Sequence, residues 1–153
     1  MNRLERKLRD FIKVHGAMPI DEYMQLILQD PEDGYYMKQD PFGKKGDFVT
    51  APEISQIFGE MIGLWAADFA LRNQHENFHL VELGPGRATL MNDMVRVLNS
   101  SPSLAELYSN LQIHLVETSP TLQEIQQDNL KPHNLNIHWH KDVSTLPHAP
   151  CVI

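Results

Sequence analysis

From Phe78 onward the chain alternates short apolar runs with helical periodicity, and that alternation leaves few architectures open. FHLVEL (78–83), LQIHLVE (111–117) and NLNIHWH (134–140) read as strands, and PCVI begins a fourth. Between the first two, 88–98 places Leu90, Met91, Met94, Val95 and Leu98 at inward helical spacing. Asn99-Ser100-Ser101-Pro102 stops that helix, and SLAELY adds a short helical piece. Ser119-Pro120 then pairs an N-cap with a first-turn proline, opening a helix to about Leu130. Strands separated by helices pair parallel, because a parallel neighbour requires a long crossover. The expected class is α/β with a doubly wound sheet. Such a sheet, stopping inside its fourth strand, is expected to be the first part of a longer protein.

Residues 1–77 read as a separate helical region. Leu4, Leu8, Phe11 and Ile12 mark one amphipathic helix, and Glu5 and Asp10 within it argue against a transit peptide. PIDEYMQLILQ follows as a second helix with Asp21 as its cap; Pro31 ends it, and EDGYY reads as a turn. The stretch 38–53, containing GDFVTAPE, has no periodicity and reads as a loop that closes in a Thr50–Glu53 capping box. A helix over 53–71 carries Ile54, Ile57, Phe58, Met61, Ile62, Trp65 and Phe69, and so many apolar residues predict burial on more than one side. The remainder, 78–153, is the first part of a ligand-binding α/β domain.

A net charge of −7 argues against nucleic acid as a partner, and eight of the 13 Lys and Arg fall in the first 50 residues. No apolar run reaches the roughly 20 residues that span a bilayer. Cys151 is the only cysteine, which excludes a disulfide within the chain and points to a reducing compartment. It sits in an apolar run and reads as an inert structural thiol. A bacterial cytoplasm is the expected location, with the mitochondrial matrix as the alternative. His133, His138, His140 and His148 cluster in sequence without the cysteine pair or acidic motif of a zinc site, so no metal is expected.

The first strand runs into Glu82-Leu83-Gly84-Pro85-Gly86. Parallel sheets bind ligands at the carboxyl ends of their strands, and glycines there permit a tight turn and close approach. The next helix directs its N-terminal amides to the same place. A dinucleotide fingerprint would need a third glycine where Thr89 stands, which disfavours a nicotinamide-dependent oxidoreductase. Glu117 ends the second strand, where a carboxylate can accept both ribose hydroxyls. Asp142 follows the third strand, within reach of an adenine amino group. Glu82, Gly84, Pro85, Gly86, Glu117 and Asp142 together fit S-adenosyl-L-methionine. Taken singly, Glu117 also reads as a solvated strand end and Asp142 as a turn cap.

DPEDGYY, GDFVTAPEISQIFGEMIGLW, VELGPGRATLM and HLVETSPTLQEIQ closely resemble the MidA family of class I methyltransferases. The resemblance implies a Rossmann-like methyltransferase sheet preceded by helices. It also implies S-adenosyl-L-methionine as cofactor and protein arginine methylation linked to assembly of respiratory complex I. Gly84, Pro85 and Gly86 then match the cofactor turn and Glu117 the ribose acid. Ala88 departs from the family's usual glycine. Arg87 fits the pattern, either facing a carboxylate of cofactor or substrate or forming a surface salt bridge. The family's acidic Asn-Glu-aromatic-aromatic-Asp stretch, near which an acceptor nitrogen is held, is absent from this sequence. Asp47 and Glu53 are the acids available for a guanidinium, with a turn and the capping box as their structural alternatives, and no catalytic residue is assigned. The implied partner is an arginine-containing protein, a complex I subunit among the candidates. The alternative reading is an assembly or interaction module that keeps the fold without the chemistry.

Overall fold

β-Branched and large aliphatic residues at alternate positions build a parallel sheet in the computed structural model, which describes residues 2–38, 49–73 and 78–153. The strands are β1 (Phe78–Leu83), β2 (Leu111–Val116), β3 (Asn136–His140) and the short β4 (Cys151–Val152), in the order β3-β2-β1-β4. Every pairing is parallel: Phe78 lies opposite Leu111, Leu83 opposite Val116, His114 opposite His138 and His79 opposite Cys151. Phe78, Leu80, Ile113 and Leu115 share one face and are buried in the core. The alternate residues His79, Val81, His114, His138 and His140 therefore share the other face.

The helices that follow the strands pack on the core face. The first pair is α6 (Thr89–Ser100) and α7 (Ala105–Ser109), which lie between β1 and β2; α8 (Pro120–Leu130) follows β2. In α6, Met91, Met94, Val95 and Leu98 are buried, as their spacing requires. In α8 the Ser119 side chain accepts a hydrogen bond from Leu122 N, so the expected serine cap and first-turn proline are both in place.

Two helices open the chain. Asn2 caps α1 (Arg3–His15) by accepting from Glu5 N at 2.7 Å. The second, α2 (Ile20–Gln29), starts one residue after Pro19, so Asp21 lies inside the first turn and is not the cap. Its negative charge still favours that end of the helix. Asp30 stops α2: its carboxylate accepts from the backbone N–H groups of Glu32 and Asp33 and from Lys7 Nζ at 2.6 Å. Only the first part of EDGYY is a turn, because 35–38 form a short helix, α3 (Tyr35–Lys38).

The expected helix over 53–71 is two helices, α4 (Ala51–Ile54) and α5 (Gln56–Arg72), separated by Ser55 in an extended conformation. Its large side chains are not its buried ones. Gly59, Gly63, Ala66, Ala67 and Ala70 face the core, while Ile54, Ile57, Phe58, Met61, Trp65 and Phe69 are exposed. The reason is distance. A Cβ on Gly59 would sit 2.5 Å from Asp93 Cβ, and one on Gly63 would sit 2.8 Å from Met94 Cα. α5 lies so close to α6 that a stripe of small residues makes the contact, and most of the bulky ones take the opposite side, while Ile62 packs partly buried against the core. Arg96 fastens the pair, reaching Glu60 of α5 at 3.1 Å, and bonds Asp93 of its own helix at 2.9 Å. Cys151 is exposed as well, so burial does not support its reading as an inert structural thiol. Its partner in register is His79, on the face away from the core.

Candidate cofactor site

The glycine turn leaves β1 with left-handed backbone at every second residue: Gly84 (φ 63°), Gly86 (φ 55°) and Ala88 (φ 58°). Glycine adopts this region without strain, which accounts for the first two. A Cβ on Gly84 would meet nothing within 4 Å, so the turn borders open space. That space is a cavity of about 400 Å³ at the carboxyl ends of the strands, a size common for small-molecule sites. Gly84 and Gly86 line it from β1, Val116, Glu117 and Thr118 from β2, and Lys141, Asp142 and Val143 from the end of β3. Leu122 closes it from α8, and Gln29 and Tyr36 from the N-terminal helices. The three strand ends are tied in register: Gly84 N donates to Val116 O at 3.0 Å, and Glu117 N to His140 O at 2.9 Å.

Glu117 is buried, which removes the solvated strand end as an account of it. Its Oε1 accepts from Ser119 N at 2.8 Å, and its Oε2 from Gln126 Nε2 at 3.3 Å. Each carboxylate oxygen keeps a further lone pair for a ligand hydroxyl. Asp142 lines the cavity and also caps the 3-10 turn Val143–Thr145, accepting from Ser144 N at 2.8 Å. Hydrogen bonds from Ser144 hold its carboxyl below the ordinary value.

Glu82 and Pro85 are not among the cavity's walls. Pro85, the middle residue of the turn, is buried. Glu82 lies opposite Leu115 on the core face, and its Oε2 is buried with no hydrogen-bond partner. Desolvation pushes its pKa up to about 8, and a hydrogen bond from Met91 N opposes this only in part. Asp47 lies outside the described residues. Glu53 forms no capping box: Thr50 occupies the cap position without a side-chain hydrogen bond. Instead Glu53 Oε1 accepts from Thr89 Oγ1 at 2.5 Å, and Oε2 lies 3.9 Å from Arg87 Nη1. Arg87 is thereby engaged within the chain.

Gln126 has no exposed surface, yet it joins three parts of the site. Its Nε2 donates to Gly86 O at 2.8 Å and to Glu117, and its Oε1 accepts from Trp139 Nε1 at 2.9 Å. Sequence reasoning passed over it, although a polar residue four positions from both Leu122 and Leu130 on the apolar stripe of a helix was a signal. The sheet's other face carries a row of rings. His79 Nδ1 lies 3.0 Å from His114 Nε2, His114 Nδ1 lies 3.0 Å from His140 Nε2, and His140 Nδ1 lies 3.0 Å from Thr145 Oγ1. Burial, with the neighbouring rings His138, His79 and His140, pulls His114 down to about 4. His133 is elsewhere, facing Asn92 Oδ1 at 2.8 Å.

The chain resembles proteins whose names agree with this geometry. It is 45% identical over 122 residues to the human protein arginine methyltransferase NDUFAF7, mitochondrial, and 47% identical over 122 residues to its mouse counterpart. Each alignment covers 79% of this chain, but only 27% of the human protein and 28% of the mouse protein. The chain thus spans less than a third of the length of these relatives. A COG1565 superfamily member from Burkholderia thailandensis, solved with S-adenosyl-homocysteine bound, superposes with a TM-score of 0.70 at 26% identity. That match covers 94% of this chain and 37% of that one. The family model described as S-adenosyl-L-methionine-dependent methyltransferase matches residues 61–153, and the chain belongs to that family.

Proposed function

We propose that the whole protein is an S-adenosyl-L-methionine-dependent methyltransferase acting on arginine side chains of a protein. The observation that carries this reading is the cavity at the strand ends, bordered by the open face of the Gly84–Gly86 turn and by the buried carboxylate of Glu117. The described helices within residues 1–77 serve as a cover, contributing Gln29 and Tyr36, and 78–153 as the first part of the cofactor domain. The cofactor, when bound, supplies an electrophilic methyl group. Glu117 would accept its ribose hydroxyls, the glycine turn would lie under it, and Asp142 would face its base. Glu82 acts beneath the turn, not on the ligand. Positioning and exclusion of water are the means by which such a site accelerates transfer. The names of the relatives, protein arginine methyltransferase and mitochondrial, support a protein substrate and a mitochondrial location in preference to a bacterial cytoplasm. The matrix as compartment and a complex I subunit as substrate are the candidates that the family resemblance implies. Among the described residues no helix is long and apolar enough to cross a membrane.

Calorimetric titration of S-adenosyl-homocysteine, with NADH and Glu117→Ala as controls, tests the cofactor assignment. Binding abolished by Glu117→Ala is expected. Tight NADH binding in its place would revive the oxidoreductase reading. Transfer of labelled methyl to a protein in a native lysate tests the reaction. Rescue of complex assembly by a Glu117→Ala variant that no longer binds cofactor would favour the assembly module.

A further inference from the structure

Glu53 reaches from the N-terminal helices to the first turn of α6, 36 residues further along the chain. The carboxylate is largely covered, with 16% of the side chain exposed. One oxygen takes the Thr89 hydroxyl at 2.5 Å and the other faces the Arg87 guanidinium at 3.9 Å. Between those two residues sits Ala88, held in the left-handed region with no exposed surface. Glu53 therefore grips the residue on each side of the strained point at which the glycine turn becomes a helix. The grip has a firm base. α4 is joined through Ser55 to α5, which is held against α6 by the close approach at Gly59 and Gly63 and by the Arg96–Glu60 ion pair.

We propose that Glu53 is a positioning residue for the cofactor, an inference that rests on the methyltransferase reading. By holding Thr89 and Arg87 it fixes Ala88 in its left-handed conformation. It thereby keeps the Gly84–Gly86 turn in the shape that borders the cavity. Glu53 is not among the cavity's walls, so it acts through the turn and not on the ligand. Loss of the tie lets the turn sample other conformations, and the ligand must then reorder it on binding.

The test is S-adenosyl-homocysteine affinity of the full-length protein carrying Glu53→Ala, Glu53→Gln, Thr89→Val or Thr89→Ser, with Glu117→Ala for comparison. Glu53→Ala and Thr89→Val are each expected to weaken binding about tenfold, the size of one lost charge-assisted hydrogen bond. Thr89→Ser keeps the hydroxyl and should stay within about twofold. Glu53→Gln keeps an acceptor and should fall between. The double variant Glu53→Ala/Thr89→Val should be no weaker than Glu53→Ala alone, because without Glu53 the Thr89 hydroxyl has no tie left to lose. Cofactor KM should rise by the same factor with kcat little changed. A merely structural Glu53 would lower the melting temperature and leave affinity within twofold, which would overturn the proposal. Full additivity in the double variant would overturn it too. If Glu53→Ala does not fold, Thr89→Val against Thr89→Ser decides the question. Loss of binding in Glu117→Ala with none in the Glu53 and Thr89 variants removes only this inference. A folded wild type that binds no S-adenosyl-homocysteine removes the cofactor reading and this inference together.

Discussion

Gln126 donates its side-chain amide to the carbonyl oxygen of Gly86 at 2.8 Å, joining the middle of α8 to the glycine turn 40 residues earlier. The same side chain bonds Glu117 and Trp139, so one buried amide fixes the ends of all three complete strands. Gln126→Ala would strand the Trp139 N–H and the Gly86 carbonyl without partners and open a cavity. The expected loss is about 2–4 kcal/mol in urea unfolding, well above that of an ordinary surface change. S-adenosyl-homocysteine affinity should fall with it.

Two buried groups pull the pH dependence of stability in opposite directions. Glu82 has its pKa raised to about 8, so the folded state holds a proton that the unfolded chain has already lost. Its contribution is present below the ordinary carboxylate pKa and is lost as pH rises towards 8. His114 is lowered to about 4, so its contribution is present above the ordinary imidazole pKa and is lost as pH falls towards 4. Each slope is at most about 1.4 kcal/mol per pH unit. Between roughly pH 4.5 and 6.5 the two offset one another, and above that only the Glu82 loss remains. Glu82→Gln should abolish the decline towards pH 8 and expose a decline on the acid side. Denaturation midpoints measured across this range, wild type against Glu82→Gln, would show whether the signs hold.

The closeness of α5 and α6 predicts intolerance at a residue type usually considered harmless in helices. Alanine in place of Gly63 gains about 1 kcal/mol of helix propensity. Its Cβ, however, would lie 2.8 Å from Met94 Cα, a backbone atom that cannot step aside. The net effect of Gly63→Ala is expected to be destabilising by about 1–3 kcal/mol. A thermal melt unchanged or raised by this substitution would mean that the helices are further apart than described.

Ala88 sits at φ 58° with its methyl group fully buried. Glycine there would relieve about 1–2 kcal/mol of left-handed strain. It would also forfeit a buried methyl and add about 0.5–1 kcal/mol of unfolded-state entropy. Ala88→Gly is therefore expected to lie within about 1 kcal/mol of wild type. Ala88→Val combines a β-branched side chain at positive φ with overpacking and should lose about 3 kcal/mol. Parallel urea titrations of both variants check the contrast.

Strands, their alternation with helices and the glycine turn are legible because each rests on short-range rules: period-2 burial, a serine-proline helix start, glycine at a ligand-facing turn. Glu117 and Asp142 were placed at strand ends by counting, and both line the cavity. Glu82 was counted in the same way but turned inward, because strand alternation puts it opposite Leu115. The length of α5 misled for a different reason. Apolar content shows that a helix has a face to bury, but the smallest residues won the tight contact, and only tertiary distance decides that. Glu53 reads as a local cap because Thr50 is three residues away in sequence, while its actual partner, Thr89, is near only after folding.

The imidazole row on the far side of the sheet has a polarity set by a single hydroxyl. Thr145 Oγ1 gives its hydrogen to Asp142 O at 2.7 Å, so it can only accept from His140 Nδ1. With the rings in their neutral forms, His140 Nε2 then accepts from His114 Nδ1, and His114 Nε2 from His79 Nδ1. Rings on three strands thus share one tautomer in that neutral state. The orientation of a proton at His79 is dictated from the loop that borders the cofactor cavity, two strands away.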